Sequence, residues 1–142
     1  MGLAEMIIAA DTSALMAVIL NEPERQSFIR ALTAASVVYI SAPTLLETLM
    51  VAYGRRGNRA RALVRHVMDM SSFQVVSADT AMAELAYDAF EIYGKGSGHP
   101  AHLNFGDTFS YALAKIKNVP LLFKGDDFSR TDVQSCLPVQ GP

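Results

Sequence analysis

Asp11, Glu47, Asp107 and the pair Asp126-Asp127 are carboxylates set where the character of the chain changes. Asp11 ends the apolar run of residues 6–10, and Glu47 stands among Leu45, Leu46, Leu49 and Met50, where an ionised carboxylate is costly without a partner. Asp107 opens a helical pattern, and Asp126-Asp127 follow Gly125 at the close of a short apolar run. If strand ends bring these segments together, four carboxylates from distant parts of the sequence meet in one pocket. Like charges so close raise one another's pKa unless something positive lies between them. All-oxygen donors without Cys or clustered His favour a hard cation, Mg²⁺ or Mn²⁺, over Zn²⁺. Such an ion activates water and neutralises charge that builds on a phosphate during in-line displacement. Taken singly, Asp11 and Asp107 each read first as helix N-caps, Asp126 and Asp127 as caps of a final turn, and Glu47 as part of a narrow solvent-facing polar strip.

The elements that must position these acids alternate along the chain. Residues 6–10, 37–40, 73–76 and 120–123 are short apolar or β-branched runs that read as strands. A helix follows Asp11-Thr12-Ser13, and a second starts after Asn21-Glu22-Pro23 with Phe28, Ile29 and Leu32 inward. A third follows Ser41-Ala42-Pro43-Thr44, with Leu45, Leu46, Leu49, Met50 and Tyr53 at helical spacing. Gly54 and Gly57 interrupt it before residues 60–70, whose Leu63, Val64 and Val67 face inward and whose arginines face out. Asp79 or Thr80 caps a long helix with Met82, Leu85, Ala86, Ala89 and Ile92 as its stripe, and Phe109, Ala112, Leu113 and Ile116 mark the last one. The segment 94–100, with three glycines, is a loop; residues 128–132 form a helical turn and residues 137–139 a fifth, marginal strand.

Strands alternating with helices imply a parallel sheet covered on both faces. The expected architecture is a three-layer α/β/α sandwich with a central, mainly parallel sheet of four to five strands, in a single domain over residues 1–142. Ligands in such sheets gather at the carboxyl ends of the strands, where Asp11 and Asp126-Asp127 stand.

Composition narrows the class. A chain of 142 residues, 51% hydrophobic, fits one compact domain without a disordered tail. A net charge of -2 and a pI near 5.9 argue against a nonspecific basic binder, although Arg55, Arg56, Arg59, Arg61 and Arg65 form a local cluster that reads as an RNA-backbone contact or a solvated helix face. Cys136 is the only cysteine, so no intramolecular disulfide forms, which suits a reducing compartment. The apolar run of residues 6–10 is too short for a signal peptide or a membrane span, and Met6 stands where a myristoylation motif wants Ser or Thr. The expectation is a soluble, cytoplasmic protein with no membrane association. His99 and His102 lack partners at metal-ligand spacing and read as structural.

Together these residues form a pattern that resembles the PIN-domain ribonuclease toxins of bacterial toxin-antitoxin pairs, the VapC family. Asp11-Thr12-Ser13-Ala14 after a hydrophobic strand is similar to the opening motif, and Leu45-Leu46-Glu47-Thr48 to the second. Gly96-Ser97-Gly98-His99-Pro100, Leu103-Asn104-Phe105-Gly106-Asp107 and the segment 121–128 match one branch in order and spacing. The match covers nearly the whole chain. Thr108 departs from it, standing where this branch often has Cys, and the leader of residues 1–5 is longer than usual.

The resemblance implies a Mg²⁺- or Mn²⁺-dependent endoribonuclease that cuts structured RNA, commonly tRNA or rRNA, leaving a 5′-phosphate and a 3′-hydroxyl. By position it makes Asp11, Glu47 and Asp107 the core acids, with Asp127, directly before Phe128, as the fourth and Asp126 as its substitute. It further implies a homodimer and neutralisation by a VapB-type antitoxin. The reading from a different class is a noncatalytic RNA-binding or partner-binding PIN module, expected if an acid were lost; all four are present. A haloacid dehalogenase phosphatase needs a second Asp two residues after the first, where Ser13 stands, and a receiver lacks its paired acids near the first strand.

Overall fold

The computed structural model describes residues 6–137. Four strands, β1 (Ile7–Ala10), β2 (Val37–Ser41), β3 (Phe73–Val76) and β4 (Leu121–Leu122), form one sheet in the order β3-β2-β1-β4. Every pairing is parallel: Ile8 lies opposite Val38, Ile40 opposite Val75, and Ala10 opposite Leu122. Among the described residues six α-helices connect them: α1 (Thr12–Ile19), α2 (Arg25–Ala34), α3 (Ala42–Arg56), α4 (Ala60–Met68), α5 (Thr80–Tyr93) and α6 (Phe105–Lys117).

The strand period of two divides the core into two layers. Ile8, Ala10, Val38, Ile40 and Leu122 point to one face, where Ala14, Leu15 and Val18 of α1 and Phe28 and Leu32 of α2 cover them. Ala9 and Leu121 point to the other, beneath Met82, Ala86 and Ala89 of α5 and Ala112 and Leu113 of α6. Burying both faces explains why β1 and β4 read as continuous apolar runs rather than alternating ones. The fold is the expected α/β/α sandwich. A smaller cluster of Met16, Ala52, Ala60 and Val64 seats α3 and α4 against α1.

Helix starts follow local chemistry. Asp11, Ser41, Asp79 and Asn104 are N-caps whose side chains accept backbone N–H groups of the first turn, each interaction contributing roughly 1 kcal/mol. Three details differ from the sequence reading. The cap of α6 is Asn104, so Asp107 lies inside the first turn rather than ahead of it. Ile92 is exposed, and Tyr93 takes the inward position at the end of α5. On α3 the apolar stripe is wider than the face the domain buries: Leu45 and Leu49 turn inward while Leu46, Met50 and Tyr53 stay in solvent. The expected strand at residues 137–139 runs outside the described residues; just before it, Ser135 bridges in parallel to Leu121 at the sheet edge.

Candidate active site

Asp11 leaves the end of β1 and turns the chain into α1. Its backbone N–H donates to the Leu122 carbonyl of β4, and its carboxylate accepts the N–H of Ser13 at 3.0 Å and the Ser13 hydroxyl at 2.7 Å, both at Oδ2. The hydroxyl of Ser110, from the middle of α6, donates to the other oxygen, Oδ1. The backbone N–H of Lys124, just past β4, donates to Ser13 Oγ at 3.0 Å. A carboxylate only 4% exposed is thus held by donors from two helices, one of them braced by the loop after β4.

Glu47 lies one turn and a half into α3, half-buried. Thr12 reaches it across 35 positions of sequence, its hydroxyl donating to Oε1 at 2.7 Å, while Thr48 and the Thr44 carbonyl surround the same Thr12 oxygen at 2.9 and 3.3 Å. The polar-strip reading of Glu47 therefore fails: its carboxylate points at α1 and at the first turn of α6. A Cβ at Gly106 would collide with Glu47 Oε2, so the glycine is what lets the carboxylate reach the start of α6. There the partial positive charge of a helix N-terminus favours an anion.

Asp107 occupies that turn. Its Oδ2 accepts the Asn104 N–H at 3.0 Å, and Asn104 Oδ1 accepts the Asp107 N–H at 2.9 Å, a reciprocal capping box. Burial pushes the Asp107 carboxyl up to about 7; the bond from Asn104 opposes the rise, and the charges of Asp11, Asp127 and Glu47 add to it. Glu47 is also raised, first by burial, with the Thr12 bond opposing and Asp11 adding. Each acid senses others drawn from far along the sequence.

Asp127 and Asp126 part company. Asp127 sits ahead of the 3₁₀ turn Phe128–Arg130, exposed and without a side-chain cap bond, yet near enough to perturb Asp107. Asp126 instead lines a separate groove of about 600 Å³ with Phe28, Phe123 and Lys124. The capping reading of Asp11 holds alongside its place among the acids, whereas Asp107 is the inner member of a capping box whose N-cap is Asn104; for Asp127 no side-chain capping bond forms. Among the described residues no three Asp, Glu, His or Cys side chains close into a ready ligand cluster. Glu47 and Asp107 are instead hydrogen-bonded to Thr12 and Asn104.

The sequence reading missed Ser110, Thr48 and Gly106. Ser110 carried the one available signal, a hydroxyl between Phe109 and Tyr111 on the inward side of an apolar helix. His99 is structural as expected: Nδ1 accepts the Ala101 N–H, and its ring meets Tyr93 edge-on. Cys136 is half-buried and its thiol is pushed up to about 12 by burial, so it is inert at neutral pH. The five arginines of the cluster are all exposed. No helix among the described residues is long and apolar enough to cross a membrane.

The PIN domain family model matches residues 8–134, a span that runs from within β1 past β4 and includes every acid above. Ribonuclease VapC42 of Mycobacterium tuberculosis is 41% identical over 124 residues, covering 87% of this chain and 95% of the relative. The chain belongs to the VapC family of PIN-domain ribonucleases. Ribonuclease VapC28 of the same organism is 39% identical over 127 residues, 89% of this chain and 96% of that one. Among solved structures, Mycobacterium tuberculosis VapC20, described as a Sarcin-Ricin loop cleaving toxin, superposes with a TM-score of 0.73 at 20% identity, covering 89% of this chain and 95% of that one. DNA-bound VapBC from Salmonella typhimurium gives 0.67 at 20% identity, covering 92% and 96%. At such identities the likeness is one of fold, and it agrees with the parallel VapC-type sheet seen here.

Proposed function

We propose that this chain is the toxin of a VapBC-type pair, a Mg²⁺- or Mn²⁺-dependent endoribonuclease that hydrolyses phosphodiester bonds in structured cellular RNA of the tRNA or rRNA class and so inhibits translation. The observation that carries the reading is the convergence of acids from distant parts of the sequence at one end of the sheet, close enough that Asp11, Asp127 and Glu47 act on Asp107 and Asp11 acts on Glu47. A half-buried pocket in which neighbouring carboxylates add to the raised pKa values of Glu47 and Asp107 is one that positive charge would relieve, and an all-oxygen donor set fits a hard divalent cation.

In this reading Asp11 and Asp107 are the principal ligands, with Glu47 and Asp127 completing the shell or orienting water. A bound cation would supply the positive charge that lets the acids ionise together and the Lewis acidity that phosphodiester hydrolysis draws on. The chain's own part is orientation. Thr12 fixes Glu47, Ser13 and Ser110 fix Asp11, and the capping box holds Asp107. Hydrolysis in this class leaves a 5′-phosphate and a 3′-hydroxyl.

The partners follow from the same assignment: a VapB-type antitoxin that covers the site, and a second copy of the chain. Leu46, Met50 and Tyr53 on α3, each more than half exposed, are the kind of apolar surface that a homodimer buries. The lone cysteine and the translational substrate suit the cytoplasm.

The test is incubation of antitoxin-free protein with total bacterial RNA and Mn²⁺ or Mg²⁺, beside EDTA and Asp11→Asn controls. Discrete fragments that vanish in both controls are expected, with end-labelling to read the 5′-phosphate. Intact RNA across several metals, from protein with a normal melting transition, would replace the nuclease by a noncatalytic RNA- or partner-binding module.

A further inference from the structure

Ser110 is completely buried in the middle of α6. A serine in a helix interior ordinarily turns its hydroxyl back to a carbonyl of the preceding turn or out to solvent. Here the hydroxyl crosses to Asp11, 99 positions away in sequence. The acceptor side is equally specific. A carboxylate offers about four lone-pair positions, two on each oxygen. Oδ2 of Asp11 is filled by the N–H and hydroxyl of Ser13, and Oδ1 takes Ser110, which leaves one position, on Oδ1.

Ser110 also stands three residues after Asp107, so the two share a face of α6. One helix therefore supplies an acid to the site and holds another acid in it. We infer that Ser110 is a positioning residue for Asp11: with Ser13 filling Oδ2, the Ser110 hydroxyl holds Oδ1 so that its one remaining position would serve a divalent cation. This rests on the metal reading given above. It goes beyond that reading in naming the oxygen, and the residue that orients it.

The experiment is direct Mn²⁺ titration of the full-length protein, following free Mn²⁺ by electron paramagnetic resonance, in wild type, Ser110→Ala, Ser110→Thr, Ser110→Val and Asp11→Asn. Removing a group that orients a ligand typically weakens metal affinity about 10- to 100-fold, and Ser110→Ala is expected at the lower end, about 10-fold. Ser110→Thr keeps the donor and should stay near wild type. Thr and Val fill nearly the same volume, so Ser110→Val against Ser110→Thr isolates the hydroxyl even if Ser110→Ala fails to fold. A loss of affinity with Val but not with Thr supports the proposal. Equal affinity in both, with Asp11→Asn defective, overturns Ser110 as a positioning residue while leaving the metal site intact. Wild type and Asp11→Asn alike in failing to bind Mn²⁺ would overturn the metal reading itself, and the proposal with it.

Discussion

Asp11 and Asp127 follow paired neighbouring strands, β1 and β4, yet they are held in opposite ways. Asp11 is buried, caps a helix and has hydrogen bonds on both oxygens. Asp127 is exposed on a single 3₁₀ turn with no side-chain cap bond. The difference separates two ways of keeping a negative charge at a strand end. At the centre of the sheet, desolvation makes an unpaired carboxylate costly, so neutral donors must fix its geometry in advance. At the rim water does the solvating, and only the backbone aims the side chain.

Changes at Asp11 should therefore have the largest effect of any in the chain. Asp11→Asn replaces an acceptor oxygen by an NH₂ group that faces the hydroxyl and N–H donors of Ser13 or the hydroxyl of Ser110. RNA cleavage should fall by a factor of about 10³ or more, since ligand charge and ligand orientation are lost together. The melting transition should also drop, by the equivalent of about 1–3 kcal/mol for buried donors left without acceptors. Activity lost with wild-type stability would mean that the donors are not engaged as drawn.

Gly106→Ala tests whether the burial of Glu47 is as tight as that of Asp11. The added methyl meets the Glu47 carboxylate head-on, and the glycine is inside a helix, where Ala would otherwise stabilise by about 1 kcal/mol. The expected outcome is a roughly 10²-fold loss of cleavage with a change in chemical denaturation midpoint smaller than that of Asp11→Asn, because a half-buried carboxylate can swing toward solvent. An active Gly106→Ala protein would show that Glu47 works from a position farther from α6.

The elements behind these two sites were legible in the sequence to different degrees. β1, β2 and β3 announced themselves as short apolar runs, and the caps Ser41 and Asp79 as cap residues before helical patterns. The acids stood out because each interrupts an apolar or Gly-rich context. What could not be read was pairing across distance: no spacing rule joins Ser110 to Asp11 or Thr12 to Glu47, since only the sheet order β2-β1-β4 brings their helices together. The outward half of α3 misled for a related reason. Helical periodicity reports that Leu46, Met50 and Tyr53 are apolar, and an apolar face left in solvent gives the same signal as a core.

The choice between Asp127 and Asp126 rested on the family motif alone, and the structure adds a physical difference to sharpen. Asp127 perturbs Asp107, whereas Asp126 faces the groove beside Phe28. Asp127→Asn should reduce cleavage about 10-fold, less than Asp11→Asn because solvent already screens a rim carboxylate. It should leave the melting temperature unchanged, having no hydrogen bond to lose. Asp126→Asn should cut RNA at the wild-type rate. Reversed outcomes would move the fourth acid to Asp126 and the edge of the site towards α2.

The smallest expected effect is on stability against pH, and it reports on the acids without any RNA. Asp107 is raised from 3.8 to about 7 in the folded protein, and Glu47 is raised as well. A carboxyl with a raised folded pKa makes the native state bind more protons than the unfolded chain. Its contribution is complete below about pH 4 and is lost as pH climbs through 7. In EDTA the melting temperature should therefore fall between pH 4 and pH 7 and level off above, by several degrees for a chain of this size. The lowered pKa of Asp132, held down first by the Tyr111 hydroxyl and then by Lys115, acts below 3.8 and so lies outside this window. Asp107→Asn should flatten most of the slope and leave the part due to Glu47. Asp127→Asn should flatten it only slightly, because that charge is one of the smaller causes of the rise. A slope that survives in Asp107→Asn would place the pH-sensitive group outside the acid site and would remove electrostatic coupling as the link between the rim and the centre.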